Sequence, residues 1–253
     1  MKKTLLYILA LAAVLTLAAC GPAAEPEPPS VILTGEHILA ARIVGVWEDT
    51  VLLAGLEPPY AGVYTAEPQA LTDAGVTDWE LKPGERVELS FDGSIEQTQP
   101  AKLGTIEKAV VPDDGFDGLC GMYLETLDLL WEKDPGLHEG IVQIGFDLAS
   151  TRLTGSEQEA LALAFDRSHG DLPVVLGTRE ELIARGLIDG ENLYWPDGVL
   201  LSLTEKESRE GTVLFDAEIW RSGLGAYYFN DCTSRQIVGG DWTLFQIGGE
   251  AIS

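Results

Sequence analysis

The stretch TVLFDAEIW, residues 212–220, decides the fold that we predict for the C-terminal half of the chain. It is rich in the β-branched and aromatic residues that are typical of strands. Three similar segments, at residues 199–203, 224–229 and 242–247, surround it and are separated by turn residues. Together the four segments predict an antiparallel meander, with strands only after Gly186.

Helices are predicted to come before this meander. Apolar residues recur at helical spacing over residues 120–131, and Thr/Glu capping boxes at 154–157 and 178–181 predict the starts of two more helices. Short apolar runs at 141–146 and 173–176 are typical of strands. We therefore expect residues 112–253 to form an α+β domain, with helices packed on one face of a curved antiparallel sheet. The cone-shaped sheet of nuclear transport factor 2 is the nearest analogy.

The preceding segment, residues 31–111, is predicted to be all β. Residues 36–47 and 51–54 are two β-rich runs on either side of a turn, which indicates a hairpin. Residues 81–91 begin with a Pro-Gly turn and then alternate, and the next turn is Asp92-Gly93. Many short strands with little helix favour a small closed barrel of the OB type.

The N-terminus has the pattern of a secretory signal. Lys2 and Lys3 precede an apolar run over residues 5–17, and small residues lead to Cys20. The run is shorter than the stretch of about 18 apolar residues that a membrane-spanning helix needs. Residues 1–19 are therefore predicted to be a cleaved signal peptide.

The four residues Leu17-Ala18-Ala19-Cys20 resemble the lipobox of bacterial lipoproteins. In that family the cysteine thiol receives a diacylglyceryl group and the preceding peptide is removed. The resemblance implies that Cys20 is lipidated, that the lipid attaches the chain to the membrane, and that the protein lies on the extracytoplasmic face. An ordinary signal peptide that happens to precede a cysteine is the alternative. Residues 20–30, which contain four prolines and acidic residues, are predicted to form an extended tether.

Both halves also resemble domains of exported bacterial proteins for which no activity is established. The N-terminal half is similar to a small OB-like barrel domain of lipoproteins from Gram-positive bacteria. The C-terminal half is similar to a recurrent exported α+β domain. The residues that carry the two resemblances are 81–87, Asp92-Gly93 and Pro100-Ala101 in the first half, and 117–120, Asp147-Leu148, 220–227, Cys232 and 242–253 in the second. These resemblances support the domain boundaries and imply no chemistry.

Charge restricts the partners that we expect. The formal net charge is −25, and removal of Lys2 and Lys3 with the signal peptide would make it more negative. Such a surface is repelled by phosphate backbones and by anionic lipid headgroups, which argues against nucleic acid as a partner and leaves the lipid as the membrane attachment. The acidic surface either attracts basic peptides or divalent cations or serves as a solvated coat.

Two cysteines remain if Cys20 carries lipid. Cys120 and Cys232 form an even pair in an oxidising compartment, so either a disulfide or two buried free thiols is expected. No metal site is predicted, because the three histidines are scattered. The loop that begins at Asp113 fits the EF-hand pattern in neither of two registers.

The catalytic motifs that we searched for are incomplete. Trp220 stands where the first glycine of a Gly-x-Ser-x-Gly elbow would be, and the glycines at 223 and 225 lack the lysine of a phosphate loop. No catalytic residue and no cofactor is therefore predicted.

One cluster of residues on neighbouring predicted strands is a candidate ligand pocket. An arginine among aromatic rings, in an otherwise acidic chain, has the chemistry to receive a carboxylate or a sugar. The alternative is an arginine paired with Asp216 or Asp241 and aromatic rings that fill the core. The residues of the candidate pocket are Trp220, Arg221, Tyr227, Tyr228 and Trp242.

These observations lead to two functional hypotheses. The first is a membrane-tethered, non-enzymatic interaction or ligand-binding module of the cell envelope, whose protein or small-molecule partner the sequence does not name. The second is an envelope hydrolase with a pocket on the C-terminal sheet. We prefer the first hypothesis, because the lipobox and the tether are evident in the sequence whereas a catalytic set is not.

Overall fold

Most of the described chain belongs to two curled β-sheets, with few helices. The computed structural model describes residues 37–253. The predicted signal peptide, Cys20 and the tether lie outside the described residues. The β-rich composition that we predicted is confirmed, while the division into two domains near residue 112 stays a prediction.

The first sheet has seven strands in the order β5-β6-β3-β2-β1-β4-β7. A short helix, α1, lies between β3 and β4. The elements are β1 (Ile38–Val46), β2 (Val51–Gly55), β3 (Gly62–Ala66), α1 (Pro68–Asp73), β4 (Arg86–Phe91), β5 (Ile95–Glu96), β6 (Ala101–Leu103) and β7 (Ile106–Val110).

Alternation of apolar residues gives this sheet a buried inner face. Leu39 of β1 lies opposite Leu89 of β4, and Ile43 of β1 lies opposite Leu53 of β2; all four are fully buried. The strand β6 pairs parallel to β3, and β7 pairs antiparallel to β4. Only residues 104 and 105 separate β6 from β7, so one short segment connects the two ends of the sheet and requires the sheet to curl.

The second sheet also has seven strands. Their order is β13-β12-β11-β10-β8-β9, and β14 pairs with β12 beside β13. The elements are α2 (Leu119–Trp131), a 3₁₀ turn (Pro135–His138), β8 (Gln143–Ser150), α3 (Gly155–His169), β9 (Val174–Leu176), α4 (Arg179–Ala184), β10 (Gly198–Arg209), β11 (Thr212–Ser222), β12 (Gly225–Gln236), β13 (Trp242–Gln246) and β14 (Gly249–Ile252).

The antiparallel meander is confirmed for β10 to β13, but the sheet as a whole is mixed. The strand β8 pairs parallel to both β9 and β10, where we expected a purely antiparallel sheet. Parallel neighbours need a crossover connection, and α3 supplies the one between β8 and β9. The sequence pattern located these strands without giving their direction.

Local signals predicted three of the four α-helices of the described residues, namely α2, α3 and α4. Both capping boxes are present: the Thr154 and Thr178 side chains accept from the backbone N–H groups of Glu157 and Glu181, and both glutamates reach back to the cap. The elements that we did not predict are short: β3, α1, the 3₁₀ turn and β14. Each contains six residues or fewer, so each carries little periodicity.

The helix α3 packs between the two sheets. Its buried residues Ala160, Leu161 and Phe165 belong to one apolar cluster that also contains Leu52 of β2 and Leu201 of β10. A second cluster fills the inside of the first sheet, and a third lies on the face of the second sheet where α4 packs. The largest core of the described chain is therefore shared by both halves.

A buried ion pair joins α3 to the first sheet. The Arg42 Nε atom lies 3.4 Å from Glu157 Oε1, and the two side chains are only 13% and 12% exposed. The Arg42 Nη1 atom also donates to the carbonyl oxygens of Gly84, at 3.0 Å, and Gly115, at 2.6 Å. The Arg42 guanidinium thus has an anionic partner and two carbonyl acceptors in an environment with little water.

We expect Arg42→Ala to lower the free energy of unfolding by about 3 to 5 kcal/mol, because it leaves the Glu157 carboxylate buried without its cation. Urea denaturation followed by circular dichroism measures this loss. Arg209→Ala is the control, since Arg209 is 82% exposed, and its effect should stay within about 0.5 kcal/mol. A loss below about 1 kcal/mol for Arg42→Ala would contradict the role that we give to this pair.

Candidate functional site

The five residues of the predicted pocket lie on both faces of the second sheet. Side chains alternate along a strand, so Tyr227 and Tyr228 point to opposite faces. Trp220 is buried in the cluster on the α4 side, and Tyr228 packs against the same cluster. Tyr227 and Trp242 instead pack against the large core that contains α2 and α3. The structure therefore does not bring the five side chains into one cavity.

Arg221 holds two loops together. Its Nη1 atom donates to the carbonyl oxygens of Leu137, at 3.2 Å, and Glu139, at 2.8 Å, and its Nη2 atom donates to that of Pro196, at 3.2 Å. We considered Asp216 as one of two possible partners of Arg221. The Asp216 carboxylate is instead paired with Lys206, whose Nζ atom lies 2.7 Å away. The Arg221 guanidinium therefore holds the backbone around residues 137–139 close to that of Pro196.

The polar atoms of the other predicted side chains are also engaged. Trp242 Nε1 donates to Asp117 Oδ1 at 2.7 Å, and the Arg152 guanidinium lies 5.6 Å from the Trp242 ring centroid. The Tyr227 hydroxyl donates to Glu250. These contacts join β13 to the residues just before α2, and β12 to β14.

A polar row that we did not predict crosses the α4 side of the second sheet. Asp147, Ser202, Glu218 and Tyr228 are aligned by the register of four neighbouring strands. Arg179 donates to Glu218 Oε1 at 2.9 Å and lies 4.5 Å from the Trp220 ring centroid. Burial raises the pKa of the Asp147 carboxyl above its ordinary value. These residues come together through the register of four strands. The pattern of a single strand does not contain that register, so the sequence did not predict the row.

A candidate site that we did not predict is a groove of about 560 Å³ between β2, β3 and α3. One wall comes from the first sheet, the other from α3 and the residue Asp171 that follows it. We call it the α3 groove; its lining residues are Trp47, Thr50, Leu52, Thr65, Gln99, Pro100, Leu163, Asp166, Arg167 and Asp171.

Trp47 and Arg167 are the central pair of the α3 groove. The Arg167 guanidinium lies 4.5 Å from the Trp47 ring centroid, and its Nη2 atom is 2.7 Å from Asp49 Oδ1. A Cβ atom on Gly45 would collide with the Trp47 ring, so the glycine lets the indole lie close to the backbone of β1. Gln99 closes one side by donating to Glu159 of α3 at 2.5 Å.

Carboxylates gather where α3 ends in this groove. Asp166 lies in the last turn of α3, and its side chain accepts from the Leu172 backbone N–H at 2.6 Å. Burial raises the pKa of the Asp166 carboxyl above its ordinary value, and the charge of Asp171 acts in the same direction. The C-terminus of a helix carries partial negative charge as well. This end of the groove therefore has a negative potential.

Nothing in the local sequence marks this groove. Trp47 ends a predicted strand, and Arg167 lies in a predicted helix about 120 residues later. Each fits its own element without an exceptional pattern. Finding the pair requires the packing of α3 on β2 and β3, which joins residues far apart in the sequence and is contained in no local pattern.

The two cysteines of the described chain are buried free thiols, the second of the two alternatives that we considered. Cys120 lies in α2, with its Sγ atom 4.0 Å from the Glu157 carbonyl oxygen. Cys232 lies in β12, opposite Phe215 of β11. Burial raises the pKa of the Cys120 thiol, and it raises that of Cys232 to about 12. Both groups are therefore protonated and poorly nucleophilic at neutral pH.

Within residues 37–253, no cluster of three His, Cys, Asp or Glu side chains has the arrangement of a metal site. In the same range, no helix combines the length and the hydrophobicity that crossing a bilayer requires. Comparison with family models, curated proteins and solved structures found no match for the chain.

We expect the Cys120 and Cys232 thiols to resist modification in the native protein and to react after unfolding. A thiol-specific colorimetric reagent, added to a Cys20→Ser chain before and after denaturation in guanidinium, measures this. The expected count is none in the native state and two in the unfolded state. A count of zero in both states, restored to two by a reductant, would instead indicate a disulfide.

Proposed function

We propose that the chain is a cell-envelope lipoprotein, anchored through Cys20, that binds a small polar ligand in the α3 groove without transforming it. The observation that carries the binding part is the groove itself. Its volume of about 560 Å³ lies within the range of roughly 300–1,000 Å³ that is usual for small-molecule sites. Its walls combine an aromatic ring, hydroxyl and amide groups, and carboxylates.

The anchoring part is supported by the sequence of the first 30 residues. A lysine-containing start, an apolar run and the residues Leu17-Ala18-Ala19-Cys20 have the order of a lipoprotein signal. The proline-rich acidic segment up to Ser30 suits a tether between the membrane and the folded part. Two acyl chains on Cys20 would suffice for stable attachment, whereas one chain gives only marginal binding.

We also propose that the first sheet is an OB-like barrel. Support comes from the β1-β2-β3 meander, from the pairing of β4 with β1, and from the segment β6–β7, which pairs with β3 at one end and with β4 at the other. The likeness of the second sheet to nuclear transport factor 2 is supported by α2 and α3 on one face. The parallel strands β8 and β9 count against it.

The alternative of an envelope hydrolase has one supporting observation. Asp147 has a raised pKa and aligns with Ser202 in the polar row. Serine hydrolysis also needs a base beside the nucleophile. The described histidines lie elsewhere: His37 contacts Tyr60, His138 stacks on Trp131, and His169 contacts Asp128. We therefore prefer the binding module.

Cys20→Ser should release the protein from membranes, as uncleaved or soluble material, because the acidic chain has no electrostatic attraction to anionic lipids. Membrane fractionation followed by immunoblotting measures the distribution. Cys232→Ser is the matched control, since its thiol is buried in β12, and it should stay with the membrane. If the Cys20→Ser protein is processed normally and stays bound, the lipoprotein assignment fails.

Trp47→Ala should abolish small-ligand binding in the α3 groove by removing its aromatic wall. A thermal-shift screen of amines, amino acids, carboxylates and monosaccharides measures this, because a ligand that binds the native state raises the melting temperature. Trp79→Ala is the matched control, since Trp79 is 72% exposed and does not line the groove.

We expect at least one compound class to stabilise the wild type and the Trp79→Ala protein but not the Trp47→Ala protein. The proposal fails if no compound shifts the melting temperature of the wild type. It also fails if the shift persists in Trp47→Ala.

A further inference from the structure

Acidic residues outnumber basic residues around the α3 groove. Asp166 and Asp171 line its negative end, beside the C-terminus of α3, and Asp49 stands at its rim. Arg167 is the basic residue among the lining side chains, while His169 in the same turn of α3 contacts Asp128 at 2.8 Å. Carboxylates and helix-end carbonyls together make the groove attractive to a cation.

Arg167 itself shows how a cation is accommodated here. Its guanidinium stacks over the Trp47 ring and meets the Asp49 carboxylate on the side. An aromatic face next to a carboxylate is a common arrangement for binding cationic ligands. The Arg167 side chain is 37% exposed and that of Asp49 is 75% exposed, so solvent screens their attraction. An incoming cation can therefore displace Arg167 at little cost.

The rest of the groove favours a ligand with an apolar part. Leu52 is buried at its base, and Leu163 and Pro100 form further apolar wall. Thr65 and Gln99 add hydroxyl and amide groups. A short alkyl chain that ends in an ammonium or guanidinium group matches both the apolar wall and the negative end.

We propose that the α3 groove selects small organic cations with an alkyl body, and that Arg167 occupies the cation position while the groove is empty of ligand. This inference rests on the proposed function, since it names the ligand class of the same groove. It assigns two separate roles: Trp47 and the carboxylates hold the ligand cation, and Arg167 competes with it.

Butylguanidinium is a suitable probe, with butylurea as its neutral analogue of the same shape and pentanoate as an anion of similar length. Isothermal titration calorimetry of the lipidated chain in detergent measures their affinities. We expect butylguanidinium to bind at least about ten times more tightly than either of the other two, a ratio that corresponds to one well-placed charge interaction.

Arg167→Gln should raise the affinity for butylguanidinium by about fivefold or more, because it removes the competing cation. Arg209→Gln loses the same charge at an exposed position outside the groove and should leave the affinity unchanged. Trp47→Phe, which keeps an aromatic face and the fold, should retain part of the binding, whereas Trp47→Ala should lose it.

The outcomes separate this inference from the broader proposal. If butylurea or pentanoate binds as well as butylguanidinium, and binding depends on Trp47, the groove is a ligand site but its selectivity for cations is wrong. If Arg167→Gln binds butylguanidinium no better than the wild type, the role of Arg167 as a competing cation is wrong. If none of the three probes binds, in the wild type or in Arg167→Gln, the inference is overturned, whereas the groove as a small-ligand site fails only if the thermal-shift screen also finds no ligand.

Discussion

The Arg42–Glu157 pair fixes α3 against the first sheet, and the arrangement of the described chain depends on that position. The two carboxylate oxygens of Glu157 make different contacts. Its Oε1 atom faces Arg42, while its Oε2 atom accepts from the Thr154 backbone N–H at 2.9 Å and completes the capping box. A buried arginine needs such partners, since the cost of removing its charge from water is large. The start of α3 and its attachment to β1 therefore depend on one carboxylate.

The position of the start of α3 determines where the C-terminal end of the helix lies. A helix of 15 residues spans about 22 Å, so α3 extends across the outer face of β2 and β3. Small residues on its buried face, Ala160 and Ala164, allow close approach to the sheets. Larger side chains near the end, Leu163 and Arg167, leave the α3 groove between helix and strands. The same helix thus closes the core and forms one wall of the candidate site.

Local patterns predicted elements, and they could not predict what the elements bring together. The Thr154 and Thr178 capping boxes are determined by neighbours in sequence, and both were found from the sequence. The polar row of Asp147, Ser202 and Glu218 depends on strand register and on the parallel direction of β8. The predicted pocket included adjacent residues, Tyr227 and Tyr228. Side chains alternate along a strand, so the two tyrosines lie on opposite faces of the sheet.

The acidic surface and the groove act on a cationic ligand at different ranges. Most lysine and arginine side chains of residues 37–253 are paired with carboxylates, so the excess of acidic residues sets the sign of the field outside the protein. At physiological ionic strength that field decays over about 8 Å, so it raises the rate at which cations arrive more than the strength with which they are held. Selectivity then depends on contacts inside the groove, where Trp47 and the carboxylates near the end of α3 face the ligand directly. Added salt should therefore slow association more than it weakens the bound state, because the aromatic and apolar contacts are not screened.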